Sequence, residues 1–85
     1  MKQREIIIKH KVGLHARPAA NFVKAANKFK CEVTLVKDDM KVNGKSIMGI
    51  LTLGASFNTK VTLIVNGKDE DKALEVLTKL LQGGE

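Results

Sequence analysis

Hydrophobic positions along the chain switch between two periods, and the switches divide it into seven elements. Lys2 to Lys9, centred on Ile6-Ile7-Ile8, is rich in β-branched residues and reads as a first strand. Beyond Pro18, residues Ala19, Phe22, Val23 and Ala26 recur at the i, i+3, i+4, i+7 spacing of one buried helical stripe, with Asn21, Lys24, Asn27 and Lys28 on the other side. Proline suits a first turn, where its missing N–H would have no intrahelical partner, so this helix begins close to His15. Phe29 is expected to close it. Cys31, Val33 and Leu35 alternate with Glu32, Thr34 and Val36 as a second strand, and Asp38-Asp39 marks a tight turn into a short third strand holding Met40 and Val42. Ser46 opens a short helix that ends near Leu53, with Gly54 placed for a left-handed cap. Val61, Leu63 and Val65 alternate in a fourth strand closed by Asn66-Gly67. Asp69-Glu70-Asp71 opens a last helix carrying Ala73, Leu74, Leu77, Leu80 and Leu81, ended by Gly83-Gly84.

The order β-α-β-β-α-β-α predicts an α+β domain with helices on one face of a sheet, and periodicity leaves the strand order open. Residues 1–85 show no internal repeat and no linker, so they read as a single domain with one modest core, too small to enclose a deep substrate cavity. No charged-then-apolar leader opens the sequence, and no apolar run approaches the roughly 18 residues of a transmembrane helix. A cytoplasmic location without membrane insertion is the expectation. Lone Cys31 reads as a small hydrophobe at the head of a strand.

A net charge of +6 raises the question of nucleic acid. The fifteen Lys and Arg, however, are spread from Lys2 to Lys79, and the chain has no Trp or Tyr on which bases could stack. Direct nucleic-acid binding is set aside on that ground. Basic charge also steers encounter with acidic partner proteins, which suits a molecule that must dock and leave quickly.

The segment Gly13-Leu14-His15-Ala16-Arg17-Pro18-Ala19-Ala20 carries the candidate chemistry. His15 and Arg17 precede the buried stripe, at a helix entrance whose free amides attract anions. A neutral imidazole nitrogen is a competent nucleophile, and a phosphorylated imidazole is a good leaving group once protonated. Arg17 offers a planar, permanently charged fork for phosphate oxygens. Phosphoryl transfer depends on positioning and charge stabilisation, so this small set can suffice when a partner supplies the rest, with no cofactor or metal. Two other motifs fail. Gly44-Lys45-Ser46 imitates the end of a P-loop, but Asp39 stands where the first glycine is required. His10 and His15 have no cysteine or carboxylate nearby to complete a metal shell, and His10 reads as a solvated strand-end side chain.

Gly13 to Ala20 closely resembles the active-site segment of the HPr family, the histidine-containing phosphocarriers of the bacterial phosphoenolpyruvate-dependent sugar phosphotransferase system. Lys45-Ser46-Ile47-Met48-Gly49, followed by Leu53-Gly54, resembles the regulatory-serine region of the same family and lies at the matching separation. The likeness extends over essentially the whole chain, including Gly67-Lys68-Asp69-Glu70. It implies an open-faced β-sandwich, a four-stranded antiparallel sheet covered on one face by three helices. It further implies a single-domain monomer that accepts phosphate from enzyme I on His15, through Nδ1, with Arg17 as clamp, and passes it to enzyme IIA. Such a protein is a transiently phosphorylated carrier rather than a stand-alone catalyst. A regulatory or interaction module with the same fold and no carrier duty is the competing reading, and His15 speaks against it.

Ser46 has two compatible roles. It is a natural N-cap, and the resemblance to HPr proteins of Gram-positive type makes it a site of regulatory phosphorylation, with an HPr kinase/phosphorylase and a catabolite-control transcription regulator as further partners. A phosphate there would place about two negative charges beside the following helix without opposing its dipole. Ile47, Met48, Ile50, Leu51 and Leu53 sweep roughly 220° of that helix, about twice what a core-facing stripe requires. Ile47, Met48 and Leu51 are therefore assigned to a partner-docking patch. Two positions depart from the family pattern. Val12 stands where several members have a small polar residue, which leaves backbone to support the His15 loop, and Asn58 occupies a turn position often filled by glycine.

Overall fold

The computed structural model describes residues 1–83, so Gly84 of the expected Gly83-Gly84 stop lies outside the described residues. The seven elements are β1 (Lys2–Ile7), α1 (Ala16–Ala26), β2 (Glu32–Lys37), β3 (Met40–Asn43), α2 (Ile47–Leu53), β4 (Lys60–Asn66) and α3 (Glu70–Leu81). The sheet is antiparallel throughout with spatial order β1-β4-β2-β3, which places the two most regularly alternating strands in the middle. Their register sets Val33 opposite Val65 and Leu35 opposite Leu63, while Ile6 of β1 meets Val61. All six are buried, and their neighbours Glu5, Thr34 and Thr62 point to the uncovered face.

The three helices close the opposite face. α3 packs on β1 and β4, α2 on β3 and β2, and α1 lies against both other helices. The stripe Ala19, Phe22, Val23 and Ala26 faces inward, with Ala73, Leu74, Leu77 and Leu81 of α3 across from it. Phe22 is the largest fully buried side chain, and truncating it would leave a cavity costing about 3–5 kcal/mol.

Two element ends differ from expectation by more than one residue. β1 stops at Ile7 rather than Lys9, because Ile8 bonds to a turn instead of a strand: its N–H donates to Thr59 O at 2.9 Å and its carbonyl accepts from Asn58 at 2.8 Å. Asn58 has φ of 67°, the left-handed conformation that asparagine tolerates. α1 stops at Ala26, before Phe29. Lys28 and Phe29 donate to carbonyls three residues back, which tightens the chain out of α-helical geometry, and the Asn27 side chain takes the Val23 carbonyl at 3.0 Å. Phe29 still packs against the core from this turn.

Candidate functional site

Backbone hydrogen bonds shape the chain between β1 and α1. Gly13 N–H donates to His10 O at 2.9 Å, Leu14 N–H to Ala55 O at 2.8 Å, and His15 N–H to Gly13 O at 3.0 Å. Gly13 has φ of 77°, and a Cβ there would lie 2.6 Å from Ala55 O, so glycine meets both a torsional and a packing requirement. Leu14 is buried and pins the loop to the core. Val12, by contrast, is 73% exposed.

His15 is the N-cap residue of α1, in extended conformation (φ −87°, ψ −168°), and its side chain does not cap the helix. It is exposed and makes no side-chain hydrogen bond among the described residues. The helix entrance beside it offers few donors. Pro18 has no N–H and Ala19 N–H is taken by His15 O at 2.9 Å, leaving the amides of Ala16 and Arg17 without partners among the described residues. Arg17 is exposed and makes no ion pair with a described acid, and the first turn contains no acidic residue that would compete with an anion. One imidazole, one guanidinium and two amides thus fall within the three consecutive exposed residues 15–17. A groove of about 490 Å³ lined by Lys37, Asp38, Asp39, Met40 and Leu53, and another of about 410 Å³ along β2 and β3, include neither His15 nor Arg17.

Ser46 caps α2 as its sequence position predicted: its Oγ accepts from Gly49 N–H at 3.1 Å. Gly54 closes the helix in left-handed conformation, with φ of 65°. The wide apolar arc divides. Ile50 and Leu53 are buried, whereas Ile47, Met48 and Leu51 are 42%, 71% and 37% exposed. Phe57, which sequence reasoning did not single out, is also exposed, with the Lys9 ammonium 5.7 Å from its ring centroid.

His10 corrects the sequence reading. It is half-buried rather than solvated, with Nε2 2.7 Å from Leu80 O in the last turn of α3. No local signal announces a contact between residues 70 positions apart. The P-loop resemblance fails in structure too, since Gly44 N–H donates to Val33 O and the Lys45 ammonium to Phe29 O. Among the described residues, no group of three or more His, Cys, Asp or Glu could hold a metal, and no helix is long and apolar enough to cross a membrane. Cys31 is buried, and burial together with the nearby Asp69 carboxylate pushes its thiol up, away from the reactive thiolate.

Comparison with known proteins agrees with this geometry over nearly the full length. Residues 2–83 match the family model described as the PTS HPr component phosphorylation site. The HPr-like protein Crh of Bacillus subtilis is 51% identical over 82 residues, 96% of each chain, and its crystal structure, described as a swapped, intertwined dimer, aligns with a TM-score of 0.80. The phosphocarrier protein HPr of Neisseria meningitidis is 45% identical over 98% of this chain and 93% of its own. The crystal structure of HPr from Thermoanaerobacter tengcongensis superposes with a TM-score of 0.92 at 49% identity, covering 100% of this chain and 99% of that one. Shared sheet order, shared helix placement and a family match across both the histidine loop and the serine helix lead to one assignment: the chain belongs to the HPr family.

Proposed function

We propose that this chain is a phosphocarrier of the phosphoenolpyruvate-dependent sugar phosphotransferase system, accepting a phosphoryl group from phosphorylated enzyme I on His15 and passing it to enzyme IIA. The observation that carries the reading is an exposed His15 ring, unbonded among the described residues, at the head of α1 and two residues before an exposed Arg17 with no ion-pair partner there. In the transfer, Nδ1 of His15 attacks phosphorus as the P–N bond to the donor ring breaks. The donor ring, protonated at its other nitrogen, leaves as neutral imidazole, and the phosphorylated His15 ring becomes the protonated one. Arg17 and the amides of Ala16 and Arg17 meet the oxygens of the group in flight. Ile47, Met48 and Leu51 form the apolar part of the docking face, and Ser46 is the site of regulatory phosphorylation, read by an HPr kinase/phosphorylase and a catabolite-control transcription regulator.

The relatives divide between carriers and the HPr-like Crh, so a regulatory module without carrier duty is the second reading. His15 favours the first, because a module that only docks has no use for an unengaged nucleophile. The proposed carrier acts in the cytoplasm as a monomer. Incubation with enzyme I and labelled phosphoenolpyruvate tests the function. Acid-labile, base-stable label on the parent and none on His15→Ala is the expected result, and a fully labelled variant overturns the acceptor assignment. Light scattering on the same sample checks the monomer.

A further inference from the structure

We infer that His10 is a positioning residue for phosphoryl transfer, anchoring the loop that presents His15 to the last turn of α3. This rests on the reading of His15 as phosphoacceptor. Leu80 O is an acceptor only, so the Nε2 that lies 2.7 Å from it carries a proton and donates. Carbonyls in a helix's last turn have no intrahelical donor, and among the described residues Leu80 O is otherwise met only by Gly83 N–H at 3.2 Å. The parallel backbone contact, Lys9 N–H to Leu81 O, is long at 3.3 Å, so the imidazole is the closer of the two ties between this loop and α3.

The same residue acts in the other direction through its main chain. His10 O accepts Gly13 N–H at 2.9 Å, closing the turn whose far side is Gly13 O, the acceptor for His15 N–H at 3.0 Å. Leu14 meanwhile fixes the loop to Ala55. The loop is therefore gripped on one side by the chain after α2 and on the other by α3, with the side chain of His10 as the α3 grip. Release of that grip leaves the 3.3 Å contact from Lys9 N–H to Leu81 O as the remaining described tie to α3, and the turn free to shift by the fractions of an ångström that phosphoryl transfer does not tolerate.

Two variants and one spectrum test this. His10→Ala removes the donor, and His10→Gln restores an N–H at similar reach. Single-turnover phosphorylation by enzyme I should slow about fivefold in His10→Ala, the loss of one ordinary hydrogen bond, and return to within about twofold in His10→Gln, with the KM for the carrier unchanged. Amide exchange at Gly13 and His15 should quicken in the first variant and recover in the second, and two-bond ¹H–¹⁵N spectra of the parent should show the proton on Nε2 of His10. A parent-like rate in His10→Ala, a His10→Gln as slow as His10→Ala, or a proton on Nδ1 alone overturns the anchor. A parent that takes no label overturns the carrier reading instead, and amide exchange and the spectrum then decide the anchor by themselves.

Discussion

Cys31 and Asp69, 38 positions apart, are joined by a 2.9 Å hydrogen bond from the Cys31 N–H to the Asp69 carboxylate, whose other oxygen accepts Lys30 N–H at 2.8 Å. The acid at the head of α3 thus caps no amide of its own helix and instead ties that helix to the entrance of β2. These backbone donors, Lys30 first, hold the Asp69 carboxyl below its usual value. Glu70 is held low as well, by Gly67 N–H at 3.0 Å and by the N-terminal amine.

The sign of the pH effect follows. A depressed folded-state value means stability that is complete above the ordinary carboxylate range and lost as pH falls through the lowered values. Asp69→Asn should melt a few degrees below the parent at pH 7, and the gap should narrow as pH falls beneath the ordinary carboxylate range and through the lowered value, where the parent carboxyl also takes a proton. Thermal melts across that range decide it. A gap independent of pH would assign the effect to shape and not charge.

Arg17→Ala should slow transfer from enzyme I and onward to enzyme IIA by roughly ten- to a hundredfold, the worth of a charge-assisted bond formed at the transferring group. Arg17→Lys should recover only part, because an ammonium lacks the planar fork. Thermal stability should not change, since Arg17 is exposed and without an ion pair to a described residue. Rates equal to the parent in both directions would reduce Arg17 to a surface charge.

Ser46→Ala removes the Oγ that accepts Gly49 N–H and should cost about 1 kcal/mol in denaturant unfolding. Ser46→Asp keeps an acceptor at the positive end of α2 and should unfold like the parent, yet accept phosphate more slowly, because a new charge beside Ile47 must be desolvated on docking. Unfolding and labelling kinetics on one preparation separate the two effects. A parallel loss of both would mean that Ser46 acts through the fold.

The divided arc of α2 makes a further contrast. Met48→Ala should leave stability within about 0.5 kcal/mol of the parent while raising the KM for enzyme I, because this side chain is 71% exposed. Ile50→Ala, two residues on and fully buried, should cost about 2–5 kcal/mol. An unchanged KM for Met48→Ala would remove that residue from the docking face.

What the sequence made legible was local. The stripe from Ala19 to Ala26, the alternation in β2 and β4, the Ser46 cap and the left-handed Gly54 each depend on residues within one element, and each is where periodicity and capping rules put it. The contacts that escaped notice join distant backbone to side chain. Asp69 looks like a helix-dipole acid until Lys30 and Cys31 arrive beneath it, and His10 looks solvated until Leu80 is folded against it. Backbone N–H and C=O groups are present at nearly every residue, so partners of this kind leave no mark in composition or spacing. For the candidate site, His15 and Arg17 were readable because the helix entrance itself exposes them. The means by which their loop is held was not.

The sparse donor set at the mouth of α1 has a thermodynamic consequence for the proposed carrier. A phosphoryl group on His15 would meet one guanidinium and two amides, with Pro18 withholding a third and no cover from the described residues. A fuller cradle would deepen the phosphorylated state and turn it into a trap, since any interaction made with the group on His15 and lost as it leaves opposes its departure. Leaving the group largely in water keeps its transfer potential near that of free phosphohistidine, so that the direction of flow is set by whichever partner docks next.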